Sequence, residues 1–99
     1  MTKHEKELQD KIAEQISELI HENIDIDLKI LRFIREDFDR FVELARKKEL
    51  SYLSLVPIAL GGIKKALVKD GRLGAQKIRE LLDRSETEMR NRDESRNEA

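Results

Sequence analysis

Apolar residues recur along this chain at intervals of three and four, the period of an amphipathic helix. Leu8, Ile12, Ile16, Leu19 and Ile20 form the first such stripe, with Lys6, Glu7, Lys11, Glu14 and Glu18 outside it. The spacing predicts a helix from about Thr2 to Glu22. Asn23 and Asp25 then interrupt, and either can end one helix and cap the next. A second helix is expected from Asp25 or Asp27 to Lys48. Its stripe is Leu31, Ile34, Phe38, Phe41 and Ala45. Ile30, Phe33 and Leu44 widen that stripe to a second side, the pattern of a central helix with neighbours on both flanks. Arg46, Lys47 and Lys48 suit the negative end of its dipole.

A third helix begins near Ser51 or Ser54, with Leu53, Val56, Leu60, Ile63 and Leu67 as its buried stripe. Pro57 falls in the first turn or just beyond it, where a missing N–H is cheapest. Gly61 and Gly62 lie inside the stripe, and each costs roughly 1 kcal/mol relative to alanine in a helix. Such a pair implies a close helix–helix approach or a kink; a hinge is the alternative. Asp70-Gly71 ends this helix, with Gly71 supplying a left-handed backbone. A fourth helix is expected from Gly74 to Asp83, with Ala75, Ile78, Leu81 and Leu82 inward. From Glu86 onward only Met89 and Ala99 are apolar, so a tail is expected to fray or to order on a partner. The pattern therefore predicts an all-α protein. Residues 1–84 form a small antiparallel four-helix bundle, and residues 85–99 a polar, charged tail, either helical or frayed.

Composition narrows this picture. The chain has 99 residues, 38% hydrophobic and 41% charged, with a formal net charge of −1. That length suits one domain, and balanced charge argues against both self-repelling disorder and a nucleic-acid coat protein. With no cysteine, no apolar run of membrane-spanning length and a polar N-terminus, a cytoplasmic protein is expected.

The candidate chemistry is sparse. There is no thiol, and neither His4 nor His21 has a context that places a base beside a nucleophile. Glu18 and His21 are spaced as one half of a carboxylate-bridged dimetal motif, but no second Glu-x-x-His follows. Asp25-Ile26-Asp27 lacks the glycine and distal glutamate of a calcium loop. No glycine-rich phosphate loop is present. The expectation is a non-enzymatic protein without metal or cofactor.

Charge is segregated. From Lys64 to Arg79 the basic residues Lys64, Lys65, Lys69, Arg72, Lys77 and Arg79 face one acid, Asp70, whereas acids dominate from Glu14 to Asp39. Either the two halves face each other inside the fold, or the basic stretch is a contact surface.

Two resemblances follow from local motifs. Ala75 to Arg92 resembles a helix-turn-helix, with Ile78, Leu82 and Met89 at its buried positions and Ser85-Glu86-Thr87-Glu88 as a capping box opening a recognition helix. Asp83 stands where that turn usually has glycine, and Arg84 and Arg92 stand at usually apolar positions. Ile16-Ser17-Glu18-Leu19-Ile20, Val56-Pro57, Lys69-Asp70-Gly71 and Ile78, Leu81 and Leu82 together resemble the immunity proteins of pediocin-like bacteriocins. That resemblance implies a cytoplasmic four-helix bundle that recognises its partner through the C-terminal region. The polar residues after Arg84 depart from that family.

These readings converge on a stoichiometric protein-binding regulator of the immunity, inhibitor or adaptor kind. Lys64, Lys65, Lys69, Arg72, Lys77, Arg79 and Met89 are its candidate contact residues, and Tyr52 is a further anchor if exposed. Two alternatives stand beside it: a small nucleic-acid-binding regulator using the basic stretch, and a self-associating module, possible because the second helix has two apolar sides.

Overall fold

Thr2 starts the first helix. Its hydroxyl accepts the Glu5 N–H, and its extended backbone leads the chain into α1, Lys3–Ile20. The computed structural model describes residues 1–98, with side chains through Asp93. α1 buries Leu8, Ile12, Ala13, Ile16 and Ile20, the expected stripe with Ala13 added and Leu19 half-buried. A continuous helical run follows in three parts: α2 (Ile26–Arg32), a wide π-turn (Phe33–Asp37) and α3 (Phe38–Lys47). Then come α4 (Tyr52–Asp70) and α5 (Ala75–Glu98). With the three-part run counted as one rod, the chain is a four-helix bundle, without strands among the described residues.

Consecutive rods run in opposite directions. Arg40 on α3 bonds Gln15 on α1, and Tyr52 at the start of α4 bonds the Met89 carbonyl far along α5. The most closely packed pair, however, is not consecutive. α1 and α4 run parallel: Gln9 reaches the Ile58 carbonyl, and beyond the far ends Arg72 reaches that of Ile20. Gly62 permits this approach. A Cβ there would lie 2.9 Å from the Gln9 carbonyl oxygen and 3.0 Å from Ile12 Cγ2. The glycine pair therefore marks a close helix–helix approach, one of the two structural options its position offered.

α4 is the most enveloped rod, packed by α1, α3 and α5 and burying eight residues from Leu55 to Leu67. The second rod, in contact with α1, α4 and α5, also has neighbours on more than one side, as its wide apolar stripe predicts. Ser51, not Ser54, caps α4 by accepting the Ser54 N–H. Pro57 consequently lies past the first turn, and the Leu53 carbonyl loses the N–H four residues on. Leu53 is 59% exposed, so this turn faces water, which can satisfy that carbonyl.

The second rod changes register at its π-turn. The Phe38 N–H bonds the Phe33 carbonyl five residues back, which inserts one residue into the turn. Ile26 and Ile30 before it and Phe33 and Ile34 at its start face the core; after it, Phe38, Phe41, Val42 and Ala45 do. An uninterrupted α-helix would have carried Asp37 to the position that Phe38 fills. Part of the apparent second apolar side is thus a shift of a single side. Phe38 sits edge-on to Phe33 (centroids 6.2 Å apart) and to Tyr52 (5.9 Å), at the centre of an aromatic cluster.

The C-terminal segment also departs from expectation. α5 continues without a break past Arg84, so the boundary expected there does not interrupt the helix. Met89 is 0% exposed. Ile78, Leu81, Ser85 and Met89 form one inward stripe at helical spacing, and the buried Ser85 hydroxyl satisfies itself by donating to the Leu81 carbonyl at 2.7 Å. Ion pairs between α5 and the second rod join Arg84 to Asp27, Arg35 to Glu88, and Arg92 to Asp39. These contacts order the helix that polarity alone predicted would fray. Glu94 to Ala99 of the expected tail lie outside the described side chains.

Candidate binding surface

The basic stretch is split by the fold. Lys65 pairs with Asp10 of α1 at 3.0 Å, and Lys69 borders the same α1–α4 seam. Lys77 lies on another side, 3.3 Å from Asp27 at the start of α2. Lys64 and Arg79 are exposed, and neither has an ion pair among the described residues. The six cations therefore do not form one face, and two of them meet acids of the N-terminal half across helix seams. Met89 is core rather than an exposed anchor, and Tyr52 is half-buried with its hydroxyl donating to the Met89 carbonyl at 2.6 Å.

Arg72 has a structural task. Gly71 ends α4 in the left-handed region at φ 78°, and the next residue turns back toward α1. The Arg72 guanidinium donates to the carbonyls of Ile20 (2.6 Å) and Asn23 and is backed by Asp70 at 2.7 Å. Asn23 donates its side-chain amide to the Leu19 carbonyl at 2.9 Å. Carbonyls that the end of α1 would leave unpaired are thereby satisfied, and a cation sits at its negative pole. The hydrogen bonds that Arg72 donates to Asp70 hold the carboxyl below its ordinary pKa and raise that of the guanidinium. On the second rod, the hydrogen bond that Arg35 donates to Glu88 likewise raises the Arg35 guanidinium.

The clamp holds an unusual residue in place. Ile24 lies immediately after Asn23 and is 93% exposed. Leu28, one turn into the second rod, is 58% exposed. This end of the bundle carries both the α1–α2 and the α4–α5 connections, joined by Arg72. Sequence reasoning passed over Ile24 and Leu28 because neither belongs to a stripe. The available signal was an isoleucine between Asn23 and Asp25, an apolar residue in a segment otherwise read as a polar break.

A different feature lies between α1 and α3. The two helices diverge, and the hydrogen bond from Arg40 to Gln15 (2.7 Å) bridges an open groove with Leu19, Phe41 and Leu44 in its floor.

The described residues contain no group of three His, Asp or Glu side chains able to share a metal ion. Glu18 and His21 are exposed, and the contact of His21 with an acid is with Glu22 at 3.7 Å. The helix-turn-helix expectation is corrected: α5 is one helix through Asp83, and Ser85 bonds backward within it instead of capping a second helix. Among the described residues, no helix is long and apolar enough to cross a membrane. Compared with known proteins, the chain matches no family model, no curated protein and no solved structure.

Proposed function

We propose that the protein is a non-enzymatic binding regulator that meets another protein, stoichiometrically, with the clamped end of its bundle. The supporting observation is Ile24, an almost fully exposed isoleucine on a loop whose flanking carbonyls are fixed by Arg72. Leaving such a side chain in water forgoes roughly 1.5–3 kcal/mol of burial. Presenting it on a pre-ordered loop lowers the entropy lost on binding. A small apolar anchor within a polar rim is how binding hot spots are built. Asp25, next in the chain, and Arg72, bonded to the Asn23 carbonyl before it, supply charges of both signs beside it, which orient a partner more than they hold it. The partner this suits has an apolar pocket with a mixed-charge rim, as expected for an immunity, inhibitor or adaptor-like protein.

The test is affinity capture from the native host with the wild-type chain and with Ile24→Asp, after circular dichroism shows that both fold alike. A partner captured by the wild type and lost with the variant supports the reading; equal capture by both removes it. Binding of random duplex DNA that weakens steeply with salt would favour a nucleic-acid regulator instead.

A further inference from the structure

The α1–α3 groove carries a separate inference, because its charges are polarised along its length. The helices run antiparallel with Gln15 bonded to Arg40, so Lys47 of α3 lies toward the same end as Lys11 of α1. Glu14 and Glu18 of α1 lie progressively toward the other end. Two further charges in the groove are already engaged: Glu43 pairs with Arg46 at 3.3 Å, and Arg40 is bound to Gln15 and lies over the Phe41 ring. Lys11, Lys47, Glu14 and Glu18 have no ion pair among the described residues. Glu18 also borders the seam containing Lys69, but without a salt bridge to it. The groove is therefore an apolar strip with an uncommitted positive end and an uncommitted negative end.

We propose that this face pairs with a second copy of the chain. The two-fold axis would lie in the interface and cross the groove at right angles, so that α1 packs antiparallel to α1 of the other copy. Lys11 and Glu18 are seven residues apart, about 10 Å along a helix. Pairing centred near Glu14 and Gln15 thus sets Lys11 of each copy opposite Glu18 of the other. A two-fold arrangement forms this contact twice, and both copies cover Leu19 and Leu44 at once. An axis parallel to the groove would instead stack like charges on like, so the polarity selects the antiparallel arrangement.

Reciprocal charge exchange tests this independently of the clamped end. Sedimentation of the wild-type chain over a concentration series should show a monomer–dimer equilibrium. Lys11→Glu and Glu18→Lys should each raise the dissociation constant about tenfold or more, since two symmetry-related pairs turn from attractive to repulsive. The double variant should return to the wild-type value within about threefold. Both substitutions lie on exposed positions, and matching thermal melts of the three variants would show that the fold is retained. A strict monomer at every concentration overturns the proposal. Single variants that dimerise like the wild type, or a double variant that fails to recover, also overturn it. Ile24→Asp should leave the equilibrium unchanged.

Discussion

The two flanks of α1 are built to opposite ends. On the α4 side the backbones come close because Gly62 has no side chain, and Ile12 and Gln9 fill the space up to it. On the α3 side the helices diverge, leaving half-buried leucines and unpaired charges at the surface. Dispersion and burial reward the first contact where the two backbones meet. The second is incomplete in both apolar cover and charge. One helix thus supplies the most committed interface of the molecule and one of its least committed.

This contrast can be broken most severely at the core both flanks share. Phe38→Ala should cost about 3–5 kcal/mol, the usual range for a buried phenylalanine. A melting temperature like that of the parent would mean that the aromatic cluster at the π-turn is not the core. Next comes the close flank itself. Gly62→Ala drives a methyl group onto a backbone oxygen that cannot step aside, and should destabilise by about 1–3 kcal/mol despite the better helix propensity. Gly61→Ala meets only the amide end of the Gln9 side chain, which can swing away. There, a gain of about 1 kcal/mol in propensity offsets a lost hydrogen bond of similar size, so chemical denaturation should find it near neutral. Equal losses at the two glycines would refute the parallel close approach. On the open flank, Leu44→Ala should cost less than about 1.5 kcal/mol, because the side chain is only half-buried. A loss as large as that of Phe38→Ala would mean that the groove is closed.

The smallest effect concerns pH. Asp70 has its pKa lowered by Arg72. Its contribution is therefore full above the unfolded carboxylate value of about 3.9 and fades as pH falls through the lower folded value. Asp70→Asn should lower the melting temperature slightly at neutral pH, and the gap to wild type should close in strong acid. A gap independent of pH would show that the carboxylate charge is not what Arg72 uses.

Much of the fold was legible in the sequence because helical burial writes a period into it. Leu8 to Ile20, the close-approach glycines and the left-handed Gly71 all lie where the pattern placed them. Other features were hidden for identifiable reasons. Ser85 interrupts the apolar stripe of α5 chemically but not spatially, so Met89 looked stranded in a polar tail. The π-turn moves a face by one residue, and a fixed period reads that shift as a second face. Arg72 counts as a surface cation until the fold brings the end of α1 beside it. Ile24 follows no period, and its exposure is visible only in three dimensions.

The wide turn at Phe33–Asp37 has a consequence for how the chain can vary in length. Losing a residue from the middle of an ordinary helix swings everything downstream by about 100° and scrambles its inner face. Here one position is surplus to the α-helical count, so shortening the segment by Glu36 would leave the inward residues on both sides spaced as a uniform helix requires. This stretch is a built-in splice point, where a single-codon deletion should be absorbed rather than ruinous.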